Sequence, residues 1–235
     1  MAGQIETMKS IRKAHDEVFK KQIDKGKFEF SNFKSNKEFF KSLKAGKNKR
    51  ILEIGSATGY FLDYLHSQGH TNLYGCDVTK VALDYAKKKN KAIDYRLITG
   101  KGLPFKSDFF DLVISFDTVE HIHDIKSHFS EVKRILKKGG RYSFSTPQKY
   151  VDIIYNIHKI HKLFKGHCSL QTRHSLKKTA RELGFENISF TRIPYRITWS
   201  LKERVPKAIN FTIPAIKSLT EKSFFQPSIF CIMKK

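Results

Sequence analysis

The sequence predicts an α/β fold in which helices cover both faces of a largely parallel β-sheet. Two observations lead to this prediction. From residue 50 to residue 147, short apolar runs typical of buried strands alternate with amphipathic stretches of helical period. A glycine-rich turn follows the first of these strands and leads directly into a helix. Strand–helix alternation at this spacing requires right-handed crossovers between parallel strands.

Each element of this central region follows from its local sequence. Apolar runs bounded by turn residues predict the strands RILEIG, NLYGCDV, DYRLITG, FDLVISFD and RYSFSTP. Helical spacing of apolar residues predicts the intervening helices YFLDYLHSQG, KVALDYAKKKN and IKSHFSEVKRILKKGG. The first of these helices should close at Gly69, and the third at the glycine pair 139–140.

The flanking regions have a different texture. Apolar residues recur at helical spacing over residues 4–25, and a Phe-rich segment after them is predicted to end in a second helix. Beyond the central region, VDIIYNIHKIHKLFKG and SLKKTARELGF predict helices, whereas NISFTRIPY and PSIFCIMKK predict strands. The segment between those two strands is expected to form either a lid-like insertion or a membrane-facing patch.

We therefore expect one domain over residues 1–235. It comprises an N-terminal helical cap (1–48), a ligand-binding core (49–190), and an insertion with a C-terminal strand (191–235).

Composition limits the functional classes only loosely. The 45 Lys and Arg residues against 22 Asp and Glu give a formal charge of +23. Such a field attracts nucleic acid, anionic lipid surfaces or phosphorylated small molecules, but a lysine-rich proteome would produce the same balance. Three widely spaced cysteines suggest neither disulfides nor a thiolate metal site. Without an apolar leader or membrane span, we expect a cytoplasmic protein, with peripheral membrane contact left open.

The most informative segment is LEIGSATG, residues 52–59. A glycine-rich turn between a parallel strand and a helix lets a ligand approach the backbone closely. The dinucleotide fingerprint fails because Ala57 and Tyr60 do not supply its second and third glycines. The P-loop fails because Tyr60 and Phe61, rather than Lys and Ser or Thr, follow the last glycine. The turn therefore matches neither phosphate-binding motif.

Two acids at strand ends point to another ligand. Glu53 would repel a pyrophosphate, but its carboxylate could bind a cationic amine. Asp77 ends the second strand, where a βαβ fold places a carboxylate on ribose hydroxyls. Two charge-assisted hydrogen bonds there, at about 1.5–3 kcal/mol each, would select a nucleoside. A ligand with a ribose, a positive charge and no phosphate matches S-adenosyl-L-methionine.

Four motifs, in order over residues 50–190, resemble the class I SAM-dependent methyltransferases. EIGSATG is similar to the E/D-x-G-x-G-x-G loop, with Ala57 in place of the middle glycine, and CDVTKVALDYAKKK resembles the ribose-binding strand end and its helix. GLPFKSDFFDLVISFDTVEHIHD resembles a segment of the branch that methylates small molecules, quinones or sugars on oxygen. EVKRILKKGGRYSFSTP resembles the signature helix, Gly-Gly turn and fifth strand of the family. The resemblance implies a Rossmann-like seven-stranded sheet, mostly parallel with its last strand antiparallel. It also implies an enzyme that releases S-adenosyl-L-homocysteine as product.

The same resemblance implies roles for individual residues. The methionine half would lie on Glu53 and the backbone of Gly55, Ser56 and Gly59, with its end beside Phe116. The ribose would be bound by Asp77. The adenine would pack on Val78 and lie along Gly100, Lys101, Gly102 and Leu103. Thr99 stands where family members often carry an acid, so adenine recognition is expected to use backbone groups. His121 is the leading candidate for a base or acceptor-orienting residue, and His167 is the second.

The remaining motifs narrow the acceptor without identifying it. His158 and His161 can share a helix face, but no carboxylate or cysteine pattern completes a metal site, so no metal is predicted. SFDTVE lacks the Asn/Asp-Pro-Pro-aromatic turn used for amino methylation of bases, and no cysteine is placed for C5 chemistry. The leading hypothesis is transfer to a hydroxyl or amine of a small-molecule, sugar or lipid-linked acceptor that can be anionic. An RNA methyltransferase using the basic surface and a non-catalytic SAM-binding partner subunit are the alternatives.

Overall fold

The structure is a computed structural model that describes residues 12, 15–26, 32–100, 102–147, 149, 168–193 and 228–235. Its strands are β1 (Ile51–Ile54), β2 (Leu73–Asp77), β3 (Asp94–Leu97), β4 (Phe110–Phe116), β5 (Leu136–Pro147), β6 (Glu186–Thr191) and β7 (Ser228–Lys234). They form one sheet in the order β3-β2-β1-β4-β5-β7-β6. Strands β1 to β5 pair in parallel, whereas β7 runs antiparallel to both β5 and β6. The predicted Rossmann-like sheet is therefore confirmed.

Helices cover both faces of this sheet. They are α1 (residues 15–24), α2 (Phe33–Ser42), α3 (Tyr60–Ser67), α4 (Lys80–Lys89), α5 (Ile125–Ile135) and α6 (Arg173–Glu182), and a 3-10 turn spans Val119–His121. Because successive strand residues point to opposite faces, Ile51 packs with α2, α3 and α4, while Leu52 packs with α5 and α6. Burial of each such apolar side chain contributes about 1.5–3 kcal/mol to the free energy of unfolding, so both helical layers stabilise the sheet.

One predicted boundary is wrong. The helix expected to end at the glycine pair 139–140 ends at Ile135, and β5 already begins at Leu136. A Cβ on Gly140 would lie 2.9 Å from the carbonyl oxygen of Lys137 and 3.0 Å from that of Phe110. The register between β4 and β5 shifts at the same place. The glycine pair therefore forms an irregularity inside a strand, where backbone approaches backbone, and not a helix end.

Several predictions fall on parts of the chain outside the described residues. These are most of the N-terminal helix before residue 15, the predicted helix 151–166, the segment 196–223, and the individual residues Lys101, His158, His161 and His167. In the described ranges, none of the helices is both long and apolar enough to cross a lipid bilayer.

A buried polar chain connects α5 to the sheet. The Nε2 atom of His128 lies 3.0 Å from the hydroxyl oxygen of Tyr142, which lies 2.7 Å from Oγ of Ser115. Burial lowers the pKa of His128 to about 4. The imidazole is therefore neutral in the folded protein at neutral pH, and its protonation is coupled to unfolding.

We expect the free energy of unfolding to fall as the pH falls from 6.5 to 4. In that window the unfolded chain binds a proton on His128 that the folded protein does not bind, at a total cost of about 3 kcal/mol. Exchange of His128 for Gln should flatten this part of a urea-denaturation profile measured against pH. The matched control is His174→Gln, which removes an exposed histidine on α6. Equal flattening in both variants would contradict the assignment.

Candidate active site

The glycine-rich turn connects β1 to α3 at the carboxyl edge of the sheet. The backbone N–H groups of Gly55 and Ser56 both donate to the carbonyl oxygen of Cys76, at 2.8 and 3.1 Å. The N–H of Gly59 donates to the carbonyl oxygen of Ser56 at 2.8 Å. All three donors are thus engaged within the protein. A ligand at this turn would therefore have to contact groups other than these three N–H donors.

Gly55 and Gly59 are required by both conformation and space. Their φ angles are +77° and +74°, in the left-handed region that favours glycine. A Cβ on Gly55 would lie 2.3 Å from Oγ1 of Thr118, and one on Gly59 would lie 2.1 Å from the hydroxyl of Tyr95. The turn is therefore packed between the end of β4 and the side chain of a β3 residue.

Ala57 also adopts a left-handed backbone, with a φ of +46°. Ala57 stands in place of the middle glycine of the E/D-x-G-x-G-x-G loop, and its backbone conformation shows that the position favours glycine. A left-handed conformation costs an L-residue about 1–2 kcal/mol, and a glycine at this position would remove that cost. Glycine also has more conformational freedom in the unfolded chain, which offsets part of the resulting gain in stability.

We expect Ala57→Gly to stabilise the protein by about 0.5–1 kcal/mol and to raise the melting temperature by a few degrees. Thermal denaturation of the ligand-free protein measures the change. Ala92→Gly is the control, because this exposed alanine lies outside the left-handed region and its exchange should be slightly destabilising. Destabilisation of both variants would show that the strain at residue 57 is not relieved.

Asp77 is the anchor at the end of β2. Its side chain is buried, and its two oxygens accept hydrogen bonds from the backbone N–H groups of Ala57 and Thr79, each at 2.9 Å. The carboxylate therefore ties the glycine-rich turn to the start of α4. Since a carboxylate oxygen has two acceptor positions, each oxygen can still take a ribose hydroxyl. The geometry fits the role implied for this residue.

Glu53 is a buried acid that forms no ion pair with a Lys, Arg or His side chain in the described part of the chain. It is 5% exposed, and its Oε2 atom is buried with no hydrogen-bond partner among the described residues. Burial, reinforced by the nearby carboxylates of Asp77 and Asp63, raises the pKa of Glu53 well above its usual value. A positively charged ligand group would supply the partner that this carboxylate lacks. The pair Glu53 and Asp77 thus fits S-adenosyl-L-methionine, whose amine and ribose need an acid each.

Two further buried oxygens near the turn have no hydrogen-bond partner in the described structure. They are Oγ of Ser56 and the hydroxyl of Tyr95, whose pKa burial raises. The Ser56 oxygen would lie 2.8 Å from a Cβ on Gly75, and the Tyr95 ring 2.6 Å from it. The hydroxyl groups of Ser56 and Tyr95 therefore form a polar patch next to the first turn of α3. The glycine-rich motif includes Ser56, but it does not indicate Tyr95.

The segment predicted to follow the adenine edge is held by α5. The N–H of Leu103 donates to Oε2 of Glu131 at 2.9 Å, and the Arg134 guanidinium donates to the carbonyl oxygen of Leu103 at 3.1 Å. A Cβ on Gly102 would lie 3.1 Å from the same Glu131 oxygen. Gly100 is exposed with open space around it, and Val78 is partly exposed after Asp77. The role of these residues at the adenine stays a prediction.

The acceptor-side candidates lie beyond β4. Phe116 packs its ring 4.7 Å from that of Phe61, so it joins the apolar core as well as bordering the edge. His121 ends the 3-10 turn, and its ring lies perpendicular to that of His15 on α1, with 5.9 Å between ring centroids. His167 lies outside the described residues. The N–H groups of residues 168 and 169 donate to the carbonyl oxygen of Glu120, directly before His121.

The N-terminal region reaches this edge at three further points. Arg12 donates from its guanidinium to the carbonyl oxygen of Ile98 at 2.9 Å, after β3. A carboxylate oxygen of Asp16 accepts the N–H of Val81 at 3.3 Å, in the first turn of α4. The side-chain amide of Asn32 donates to the carboxylate of Asp117 at 2.8 Å, after β4. The predicted cap region therefore contacts the ends of several strands.

The structure adds Asp117 and Asn32 to the candidate residues. Asp117 follows β4 directly and has a φ of +49°. An acid after an apolar strand was a detectable signal in SFDTVE, but nothing local indicated that Asn32, 85 residues earlier, lies against it. Within the described ranges, no three His, Cys, Asp or Glu side chains are grouped so that they could hold a metal ion.

Known methyltransferase sequences are similar to this chain. A family model described as a methyltransferase domain matches residues 20–190. A ubiquinone biosynthesis O-methyltransferase of Dinoroseobacter shibae is 29% identical over 186 residues, which cover 73% of this chain and 74% of that protein. Alignments with the proteins of that name from Rhizobium johnstonii and Bartonella tribocorum cover only 42% and 39% of those proteins.

Solved structures share the fold at low sequence identity. A methyltransferase in complex with the Trm112 methyltransferase activator of Haloferax volcanii superimposes with a TM-score of 0.69 at 16% identity, covering 94% of this chain and 95% of that one. The phosphoethanolamine N-methyltransferase 2 of Haemonchus contortus, in complex with phosphomonomethylethanolamine and S-adenosylhomocysteine, gives a TM-score of 0.58 at 19% identity, covering 86% of this chain and 51% of that one. These likenesses establish the fold.

Proposed function

Because the chain belongs to the class I SAM-dependent methyltransferases, through a methyltransferase domain that matches residues 20–190, we propose that it methylates a hydroxyl group of a small-molecule, sugar or lipid-linked acceptor. S-adenosyl-L-methionine is the donor and S-adenosyl-L-homocysteine the product. The single observation that carries the donor side is the pair of buried acids at the ends of adjacent strands β1 and β2. One is fixed by two backbone donors, and the other lacks a cation.

The chain's own residues would bind and align the reactants. When bound, the cofactor supplies a methyl group already activated on a sulfonium. Asp77 holds the ribose, and Glu53 balances the charge of the methionine half. The N-terminal end of α2 and the C-terminal end of the 3-10 turn border the acceptor. Correct alignment can supply about 7–11 kcal/mol of the barrier, whereas a base contributes about 3–5.5 kcal/mol. Positioning is therefore the larger contribution of this protein.

A hydroxyl acceptor is the first choice because a relative of similar length is an O-methyltransferase. The D. shibae protein matches over 73% of this chain, whereas the N-methyltransferase of H. contortus shares the fold at 19% identity. His121 fits the role of an acceptor-orienting residue, since it lies at the end of the 3-10 turn beneath α1. Amine acceptors form the second arm of the test.

The proposal is tested in two steps on the full chain. Calorimetry should first show binding of S-adenosyl-L-methionine and of S-adenosyl-L-homocysteine. Transfer of a labelled methyl group is then measured with a panel of phenols, nucleotide sugars, lipid-linked sugars, small amines and RNA. Turnover of hydroxyl compounds supports the proposal. Turnover of amines or of RNA alone would refute it, and absence of cofactor binding would refute the donor assignment as well.

Two other functions remain as outcomes of the same assay. The charge of +23 motivates the RNA arm, because phosphate contacts by Lys and Arg supply most non-specific affinity for nucleic acid. The complex of the H. volcanii methyltransferase with an activator motivates a partner-subunit arm. Cofactor binding without transfer to any acceptor would favour that arm. The hypothesis of a non-catalytic partner subunit rests on similarity of fold alone, so we rank it below catalysis by this chain.

A further inference from the structure

Asp117 directly follows Phe116 at the carboxyl end of β4, where the methionine end of the cofactor is expected. The other residues assigned to the donor follow β1, β2 and β3. The N–H of Asp117 donates to the carbonyl oxygen of Ser145 on β5 at 3.2 Å. The next residue, Thr118, packs directly over Gly55. The carboxyl group therefore lies between the turn and the ends of β4 and β5.

The carboxyl group has few partners in this position. Oδ2 accepts the hydrogen bond from Asn32, while Oδ1 is buried and has no hydrogen-bond partner among the described residues. Burial raises the pKa of Asp117, and the polar groups of Asn32 and Ser145 offset only part of that rise. In the described ranges, no Lys, Arg or His side chain forms an ion pair with it. One oxygen is thus ready to accept a hydrogen bond from a ligand hydroxyl.

The side-chain hydrogen bond of Asn32 indicates that the position of the Asp117 carboxyl group is functional. Asn32 is the N-cap residue of α2, yet its side chain caps no N–H group of that helix. Asparagine at this position normally accepts such a hydrogen bond and stabilises its own helix. Here its amide donates to Asp117 instead. Asp117 itself holds a left-handed backbone conformation, and strain of this kind clusters at functional sites.

We propose that Asp117 is the catalytic carboxylate that orients the acceptor hydroxyl and takes its proton, and that Asn32 is its positioning residue. This proposal rests on the proposed function, methyl transfer to oxygen. The O–H bond of the acceptor breaks, and its proton passes to the Asp117 carboxylate. The acceptor oxygen bonds to the methyl group as the bond from that methyl to sulfur breaks. The products are a methyl ether, a neutral thioether and a protonated Asp117, which returns its proton to water.

A first test needs no acceptor. Carboxyl ¹³C NMR of aspartate-labelled protein, with Asp117→Asn to assign the signal, should show that Asp117 titrates above the range usual for aspartate. The Asn32→Ala variant should titrate higher still, because the amide donor stabilises the charged form. Asp108→Asn is the matched control, since Asp108 is also an aspartate with a left-handed φ, +55°, but lies far from this edge and pairs with Lys235. Titration of Asp117 in the usual range would overturn the proposal.

A second test uses the hydroxyl compound turned over by the wild-type protein. Asp117→Asn should lower the transfer rate by 10²- to 10⁴-fold and abolish the acid limb of the pH–rate profile, with cofactor affinity unchanged within about threefold. Asn32→Ala should shift that limb to higher pH. An unchanged transfer rate in Asp117→Asn would overturn the assignment. So would a 10²- to 10⁴-fold loss of rate that appears in His121→Asn and not in Asp117→Asn. Failure of the proposed function differs, since the wild-type protein would then transfer no methyl group to oxygen, whether or not it binds the cofactor.

Discussion

Replacement of Asp77 by Ala is expected to weaken S-adenosyl-L-methionine binding by at least 100-fold and to destabilise the ligand-free protein. The affinity loss follows from two ribose hydrogen bonds to a charged acceptor, at about 1.5–3 kcal/mol each. The stability loss follows because the N–H groups of Ala57 and Thr79 lose their acceptor in a buried place. Together these two bonds contribute about 3–5 kcal/mol.

Calorimetry and chemical denaturation measure the two effects of Asp77→Ala separately. Asp94→Ala is the control, because Asp94 is an aspartate of the neighbouring strand β3 whose exposed side chain pairs with Arg96. That variant should change stability by less than about 1 kcal/mol, as exposed ion pairs usually do. If Asp77→Ala bound the cofactor within threefold of the wild-type affinity, the ribose role of Asp77 would be refuted.

Glu53→Gln is expected to change affinity and stability in opposite directions. In the ligand-free protein the folded state holds a proton on Glu53 that the unfolded state releases, because the folded pKa is raised above the ordinary value of 4.5. Stability of the wild-type protein therefore falls as the pH rises above 4.5. A glutamine carries no such ionisation, so the variant should be more stable than wild type at neutral pH by about 1–3 kcal/mol.

The same substitution removes the negative charge that balances the cofactor. We expect affinity for S-adenosyl-L-methionine to fall by more than tenfold, since a charged hydrogen bond contributes about 1.5–3 kcal/mol. Thermal denaturation with and without cofactor measures both effects, and the gain in melting temperature on cofactor addition should shrink. Glu38→Gln, an exchange on the surface of α2, is the control. A destabilised Glu53→Gln protein with wild-type affinity would contradict the interpretation of Glu53 as an uncompensated functional charge.

Much of the donor side could be predicted because its signals are local. Glu53 and Asp77 stand at the ends of apolar runs, and parallel strands bring such ends to one edge of a sheet. The turn between β1 and α3 required glycines at two left-handed positions, which its spacing displays. Family membership and fold class are confirmed by the matching methyltransferase domain and by the sheet order.

Other features could not be read from local patterns. The N–H groups of Gly55 and Ser56 donate to the carbonyl oxygen of Cys76, which belongs to the neighbouring strand. Ala57 resembles an ordinary small residue in the sequence, and only its φ shows that it is strained. The lysines and glycines after Ile135 continue a helical pattern, but pairing of β5 with β4 prevails over it. In each case a partner distant in sequence determined the conformation.

The sequence by itself determined the order of strands and helices, the glycine-rich turn and the two acids at the ends of β1 and β2. These depend on periodicity and spacing within a few residues, which local sterics and burial convert directly into structure. Only the tertiary structure decided which groups lie together beyond the end of β4. The hydrogen bond from Asn32 to Asp117 joins residues 85 positions apart, so it exists only because α2 docks over the end of β4. That docking depends on the packing of the whole apolar layer beneath α2, including Phe39 and Phe230, which no short motif encodes.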